Sequence, residues 1–156
     1  MSRHGAEIAW TSDGDFSSGR YSRTHEWRFD GGQTVRGSSS PDVVRAPMSD
    51  PFGVDPEEAL VAAASSCHML WFLDFARRAG FDVASYRDSA EGEMGMGANG
   101  RVMITRIVLR PAIAFAGRQP DDTELADLHH RAHDACFIAN SLSTDIVVEA
   151  PAAVER

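Results

Sequence analysis

Two cysteines, Cys67 and Cys136, are the residues of this 156-residue chain best suited to covalent chemistry. A thiolate is both nucleophile and reductant, and two thiols that meet can cycle through a disulfide. Two cysteines are too few for a secreted disulfide scaffold, and a structural bridge would be unusual in a reducing cytosol. Three readings stay open: buried hydrophobes, metal ligands, or a reversible redox pair. For a metal, His129, His133 and Cys136 fall on one side of a helical stretch at spacings of four and three. With Cys67 or His68 they would supply four ligands, although the spacing matches no standard zinc signature. A redox pair needs more: a cation to hold the thiolate, an acid to fix the cation, and the second thiol within reach. Arg20, Arg23 and Arg28 lie on one predicted strand, and Arg23 shares a face with Tyr21, His25, Trp27 and Phe29. A guanidinium on that apolar side needs a partner; on the other side it would simply be solvated. A third motif, GMGANG at Gly95 to Gly100, matches the dinucleotide-binding spacing. That spacing works only between a strand and a helix, and the following Val102 to Leu109 has no helical period, so it reads as a hairpin loop.

The element that must position Cys67 is a long helix predicted from Asp55 to Gly80. Asp55 is an N-cap, Pro56 sits where its missing N–H costs nothing, and Glu57 and Glu58 suit the positive end of the helix dipole. Arg77 and Arg78 suit the other end, and Gly80 can take the left-handed position past it. Leu60, Ala63, Ala64, Cys67, Leu70, Trp71 and Asp74 follow helical spacing, while Val61, Met69, Phe72, Leu73 and Phe75 make the second half apolar nearly all round. Such a helix should be covered on several sides. Ala62 to Ser66 carry only small side chains, which lets another backbone approach closely. A thiol in mid-helix gains little from the dipole, so its activation needs a cation from elsewhere.

Cys136 belongs to a second predicted helix, from about Pro120 to Ala139, with Leu125, Leu128, Ala132, Cys136 and Ala139 on its inner stripe and Asn140 past its end. Around the helices, Ala6 to Trp10, Arg20 to Phe29 and Gln33 to Arg36 read as a three-strand meander packed on the long helix. Gly37 to Val54 is an irregular loop with three prolines. Phe81 to Met94 and Arg101 to Phe115 should form a hairpin of long strands, and Asp145 to Glu149 a closing strand. Strands, helix, strands, helix, strand is an α+β order, without linker or repeat, so residues 1–156 are expected to form a single domain.

The 43% hydrophobic content without a long apolar run reads as a soluble protein with no membrane span. The start, MSRHGAEIAW, has no export signal, which points to the cytoplasm. A net charge of −8 argues against nucleic acid and anionic membranes, leaving small molecules or proteins as partners.

Two segments carry a resemblance. DPEEALVAAASSCHM, Asp55 to Met69, resembles the first motif of the OsmC/Ohr family of thiol peroxidases, and AHDACFIANSLSTDIVVE, Ala132 to Glu149, resembles its second. The resemblance spans most of the chain and implies an OsmC-like α+β fold in an intertwined homodimer. It further implies peroxide reduction: Cys67 attacks the O–O bond, becomes a sulfenic acid and condenses with Cys136, and an external dithiol such as a lipoyl protein or thioredoxin reopens the disulfide without a bound cofactor. Glu57 matches the family's acid, which holds an arginine against peroxide and thiolate. The glycine-rich arginine segment of the Ohr branch has no clear equivalent in TSDGDFSSGRYSRTHEW, which leaves Arg23 as first choice, Arg20 as second, and Arg36 and Arg45 open. His68, Met69, Leu70 and Trp71 suggest an apolar pocket, suited to a hydroperoxide with a hydrocarbon tail as well as to hydrogen peroxide. Glu57 and Cys67 are ten residues apart, roughly 15 Å along a helix axis, so they cannot meet within one straight helix. Either the helix breaks after Glu57 or the acid comes from a second copy; the resemblance implies the latter.

Overall fold

The computed structural model describes residues 2–149. Its contacts divide into two compact units, with the boundary between Ala59 and Leu60. In the first unit, β1 (Ala6–Ala9), β2 (His25–Phe29) and β3 (Thr34–Gly37) form the expected antiparallel meander, with Ile8, Trp27 and Val35 in register. Gly32, at φ 83, makes the turn between β2 and β3. The second strand starts at His25, not at Arg20. Arg23 is the reason: it donates from Nη1 to the carbonyls of Gly19 (2.9 Å) and Tyr21 (2.6 Å), and its own N–H donates to the distant Met48 O (2.7 Å). These bonds hold the backbone in a loop and out of the ladder. Residues 38–54 are irregular, as expected, and are pinned by buried Ser38, whose N–H donates to Val54 O (3.0 Å) and whose Oγ accepts from Asp50 N (2.9 Å).

The long helix α1 (Pro56–Arg78) has the expected ends. Asp55 and Glu58 form a reciprocal cap, Glu58 N donating to Asp55 Oδ1 (2.7 Å) and Asp55 N to Glu58 Oε2 (3.1 Å). At the other end Arg77 and Arg78 pair with Asp74 at 3.0 and 2.7 Å, and Gly80 takes φ 82. Its burial departs from expectation. The chain fully buries one stripe, Ala64, His68, Phe72 and Ala76, each four residues from the last, while Ala62, Ser66 and Leu70 are exposed. More of the helix is apolar than its own chain covers. By length and composition α1 also reaches the hydropathy of a membrane span, with a mean hydropathy of 1.4, contrary to the sequence expectation of no such run. Ser65 and His68 instead make polar bonds to other elements, which identifies α1 as the packed helix of a folded unit.

In the second unit each expected long strand breaks once. The elements are β4 (Asp82–Asp88), β5 (Glu91–Met96), β6 (Val102–Leu109) and β7 (Pro111–Ala116). The hairpin exists, but it divides into a β4–β7 pair and a β5–β6 pair, and β8 (Asp145–Val148) joins β6 in parallel. Asp88 stands at the break: its Oδ1 accepts from Arg110 N (2.6 Å) and its Oδ2 from Ser65 Oγ (2.5 Å). The carboxylate thus satisfies an amide that leaves the ladder between β6 and β7. GMGANG is a turn leading from β5 into β6, with Gly100 at φ 73. Helix α2 (Asp122–Ala135) is capped by Asp121 and Glu124 and ends four residues earlier than expected, because Cys136 takes extended backbone at φ −67, ψ 112. The apolar side chains gather in two clusters, one around Ala64, Ile104, Ile107, Leu109 and Ile146, the other around Phe72, Ala76, Phe81, Leu128 and Ala132.

Candidate functional site

Helix α1 presents Cys67 half-buried, and the end of α2 delivers Cys136 at 1% exposure; both are free thiols. The inward turn of Cys136 follows from its place four residues after buried Ala132. Burial pushes the Cys136 thiol above its ordinary range; Ala139 N, donating to its Sγ at 3.4 Å, works against this, and the nearby Cys67 thiol adds to it. Cys67 is thus near enough to act on the Cys136 thiol. Beside them Trp71, one turn after Cys67, meets Phe137 edge-on at 5.5 Å and stacks on Phe75 at 5.6 Å. Phe137 and Leu70 are 69% and 61% exposed, so apolar surface flanks the thiols.

The charged candidates are placed differently. Glu57 stands in the first turn of α1, and the helix runs unbroken from there through Cys67, which removes the alternative of a helix break. Arg23 lies over the Tyr21 ring at 3.7 Å with its Nη1 on two carbonyls. Arg20 pairs with Asp15 at 3.1 Å and Arg36 with Asp50 at 3.2 Å, while Arg45 sits in the irregular loop, its carbonyl accepting from Met48 N.

The histidines considered as metal ligands make a different arrangement. His68 Nε2 and His129 Nδ1 share a hydrogen bond of 3.0 Å, and the rings stack 5.3 Å apart, with Phe72 against His129 at 4.6 Å. Burial holds both imidazoles down to about 4; for His68 the nearby His129 and His133 push the same way, and for His129 the charge of Asp88 opposes. Among the described residues no group of three or more His, Cys, Asp or Glu side chains is gathered to hold a metal. His68 Nδ1 and Tyr86 Oη are buried without a partner. The histidine pair was not anticipated. Its signal was available, since His68 falls four residues from both Ala64 and Phe72 on the buried stripe of α1.

An α+β chain with a thiol on its long helix and a second, buried thiol after its other helix fits one known class. Residues 48–150 match the OsmC-like protein family, and the chain belongs to it. A structure of an OsmC-like protein of unknown function from Vibrio cholerae is 46% identical, with a TM-score of 0.94 over 96% of this chain and 99% of that one. An organic hydroperoxide resistance protein, OsmC, from Legionella pneumophila shares the fold at 12% identity, with a TM-score of 0.73 over 97% and 98% of the two chains. The protein YmaD of Bacillus subtilis is 24% identical over 66% of this chain and 69% of its own length.

Proposed function

We propose that this chain is a dimeric, cysteine-based peroxidase of the cytoplasm that reduces hydroperoxides, organic ones or hydrogen peroxide. The observation that carries the reading is a pair of free thiols at unequal burial, Cys67 half-buried on α1 and Cys136 buried after α2, with Cys67 near enough to raise the Cys136 thiol. The half-buried sulfur is the one a peroxide can reach; the buried one is kept as a thiol until needed. In the first step the Cys67 thiolate takes the distal peroxide oxygen, the O–O bond breaks, and the leaving alkoxide takes a proton to give an alcohol, or water from hydrogen peroxide. Sulfenic Cys67 then condenses with the Cys136 thiol, forming the disulfide and releasing water. An external dithiol, such as that of a lipoyl protein, returns both cysteines to thiols and is itself oxidised to a disulfide.

Glu57 and an arginine, Arg23 by first choice, complete the site in this reading. Because α1 is unbroken, Glu57 is roughly 15 Å along the axis from the Cys67 of its own chain, so the acid serving each thiol comes from the second copy. The naming of the Legionella protein for organic hydroperoxide resistance, together with the exposed Leu70 and Phe137 beside the thiols, supports a substrate with a hydrocarbon tail.

The test is peroxide consumption with a dithiol reductant. Cys67→Ser should abolish turnover, and Cys136→Ser should leave a sulfenic acid that dimedone traps, with turnover at least tenfold lower. Undiminished consumption in Cys67→Ser would overturn the reading.

A further inference from the structure

A cleft of about 570 Å³, lined by neither cysteine, lies between α2 and strands β7 and β8, a volume typical of small-molecule sites. Ile113 and Phe115 of β7, Leu125 of α2, and Ile146 and Val148 of β8 make it apolar. Its polar groups are few and specific: Asp122, Glu149 and three imidazoles, His129, His130 and His133. Among the described residues no lysine or arginine lines it.

The charge of the lining decides what it can hold. Glu149 is already met by Arg106 at 3.0 Å and Arg110 at 3.5 Å, and His130 faces Asp134 at 3.4 Å. That leaves Asp122 at the rim, the His133 imidazole, and an uncharged His129 at neutral pH. The two nearby guanidinium groups are spent on Glu149, so a carboxylate or phosphate would meet Asp122 with no cation among the lining residues to neutralise it, and its desolvation would go uncompensated. A cation would find only exposed Asp122.

The histidine pair sets the hydrogen-bonding sense. If His68 Nε2 accepted from His129, the proton of His68 would sit on Nδ1, which is buried with no acceptor. If instead His68 Nε2–H donates, Nδ1 is a bare lone pair, which is the less costly orphan. His129 Nδ1 is then the acceptor, and the proton of His129 is on Nε2, its remaining ring nitrogen. The tautomer follows from this balance of partners. His129, a lining residue of the cleft, therefore keeps one N–H that is not used by His68.

We infer that this cleft binds an uncharged, largely apolar small molecule through a single acceptor oxygen, a carbonyl or hydroxyl that takes the His129 Nε2–H. The inference does not rest on the thiol chemistry proposed above. The probe is prodan, an uncharged naphthalene ketone, titrated against the full chain at pH 8 and followed by its emission. Saturable, blue-shifted binding at one per chain is expected. 1-Decanol should displace it at least tenfold more effectively than decanoate or decylamine. Ala126→Trp, which fills the cleft from an exposed position on α2, should weaken binding at least tenfold. His129→Phe, which keeps a ring against Phe72, should weaken it several-fold. Cys67→Ser should bind as the parent does, so a failed peroxidase reading leaves this result untouched. Absence of saturable binding would overturn the inference, including where a dimer blocks the cleft. Equal displacement by decanoate or decylamine would also overturn it, a comparison made on the parent chain that needs no variant to fold. So would unchanged affinity in Ala126→Trp.

Discussion

The two units of the chain are held by different physics. From Leu60 onward, Phe72, Ile107, Val108, Leu109 and Ala132 are each 0% exposed and belong to a packed interior. Before it, among the described residues, the buried ones are Gly37, Ser38, Ser49 and Asp55, none of them a large hydrophobe. Several large apolar side chains of that first unit face outward instead: Ile8 and Phe16 are each 59% exposed and Phe52 88%. Ladder bonds, the capped turn at Asp15 and the Arg23 contacts order it. A three-stranded sheet with so little interior is marginal alone. The lesson is that one unit carries its own core while the other displays surface that a second copy, as in the proposed dimer, would cover.

The sharpest way to break this contrast is to truncate one aromatic in each unit. Phe72→Ala should cost about 3–5 kcal/mol, because the ring is 0% exposed and packs with Tyr86 and His129. Phe16→Ala should cost about 1 kcal/mol or less, the worth of its stacking with Trp10 and Tyr21. Urea midpoints at low protein concentration measure both. A Phe16 effect that grows with concentration would show the second copy covering that surface; a large one independent of concentration would end the contrast.

Next in size is the acid response of the second unit. His68 and His129 titrate near 6.5 when unfolded and about 4 when folded. Between those values the unfolded chain binds more protons, so folding stability is intact above pH 6.5 and falls as pH drops toward 4. For His68 alone the loss is on the order of 3 kcal/mol. His68→Leu should flatten the pH dependence of the urea midpoint between 6.5 and 4. An unaltered slope would mean that other groups govern it.

Much of this architecture was legible from residue types. The ends of α1 were readable because Asp55, Glu58, Arg77, Arg78 and Gly80 act within one turn of themselves, and the meander because Gly32 forces its own turn. The failures share a cause, which is a distant partner. The valine- and isoleucine-rich run from Arg101 to Phe115 reads as continuous, and it breaks at Arg110 because Asp88, 22 residues earlier, takes that amide. Arg20 to Thr24 alternates like a strand, and Met48 O takes the Arg23 N–H. Of the candidate site, Cys67 and Cys136 stand out in the sequence as residue types and in motifs. The imidazoles stay open as metal ligands in the sequence because spacing along one helix cannot reveal that His129 spends its Nδ1 on His68.

The smallest expected effect separates the units most finely, because it adds one methyl group to each. A Cβ at Gly37 would lie 2.5 Å from Trp27 Nε1 and 2.6 Å from His25 Nε2, two atoms that share a 2.6 Å hydrogen bond. Both side chains are half-buried on a sheet face and can swing away, so Gly37→Ala should cost about 1 kcal/mol, mostly that bond. A Cβ at Gly92 would instead lie 2.7 Å from Cγ2 of Val61, a residue packed on the Ala64 cluster with less room to yield. Hydrogen exchange tells the two apart. Gly37→Ala should lower protection only among the amides of β1 to β3, whereas Gly92→Ala should lower the most protected amides of β6 and α1 as well. If Gly37→Ala lowers protection equally throughout, the first unit opens only with the core, and its order depends on packing after all.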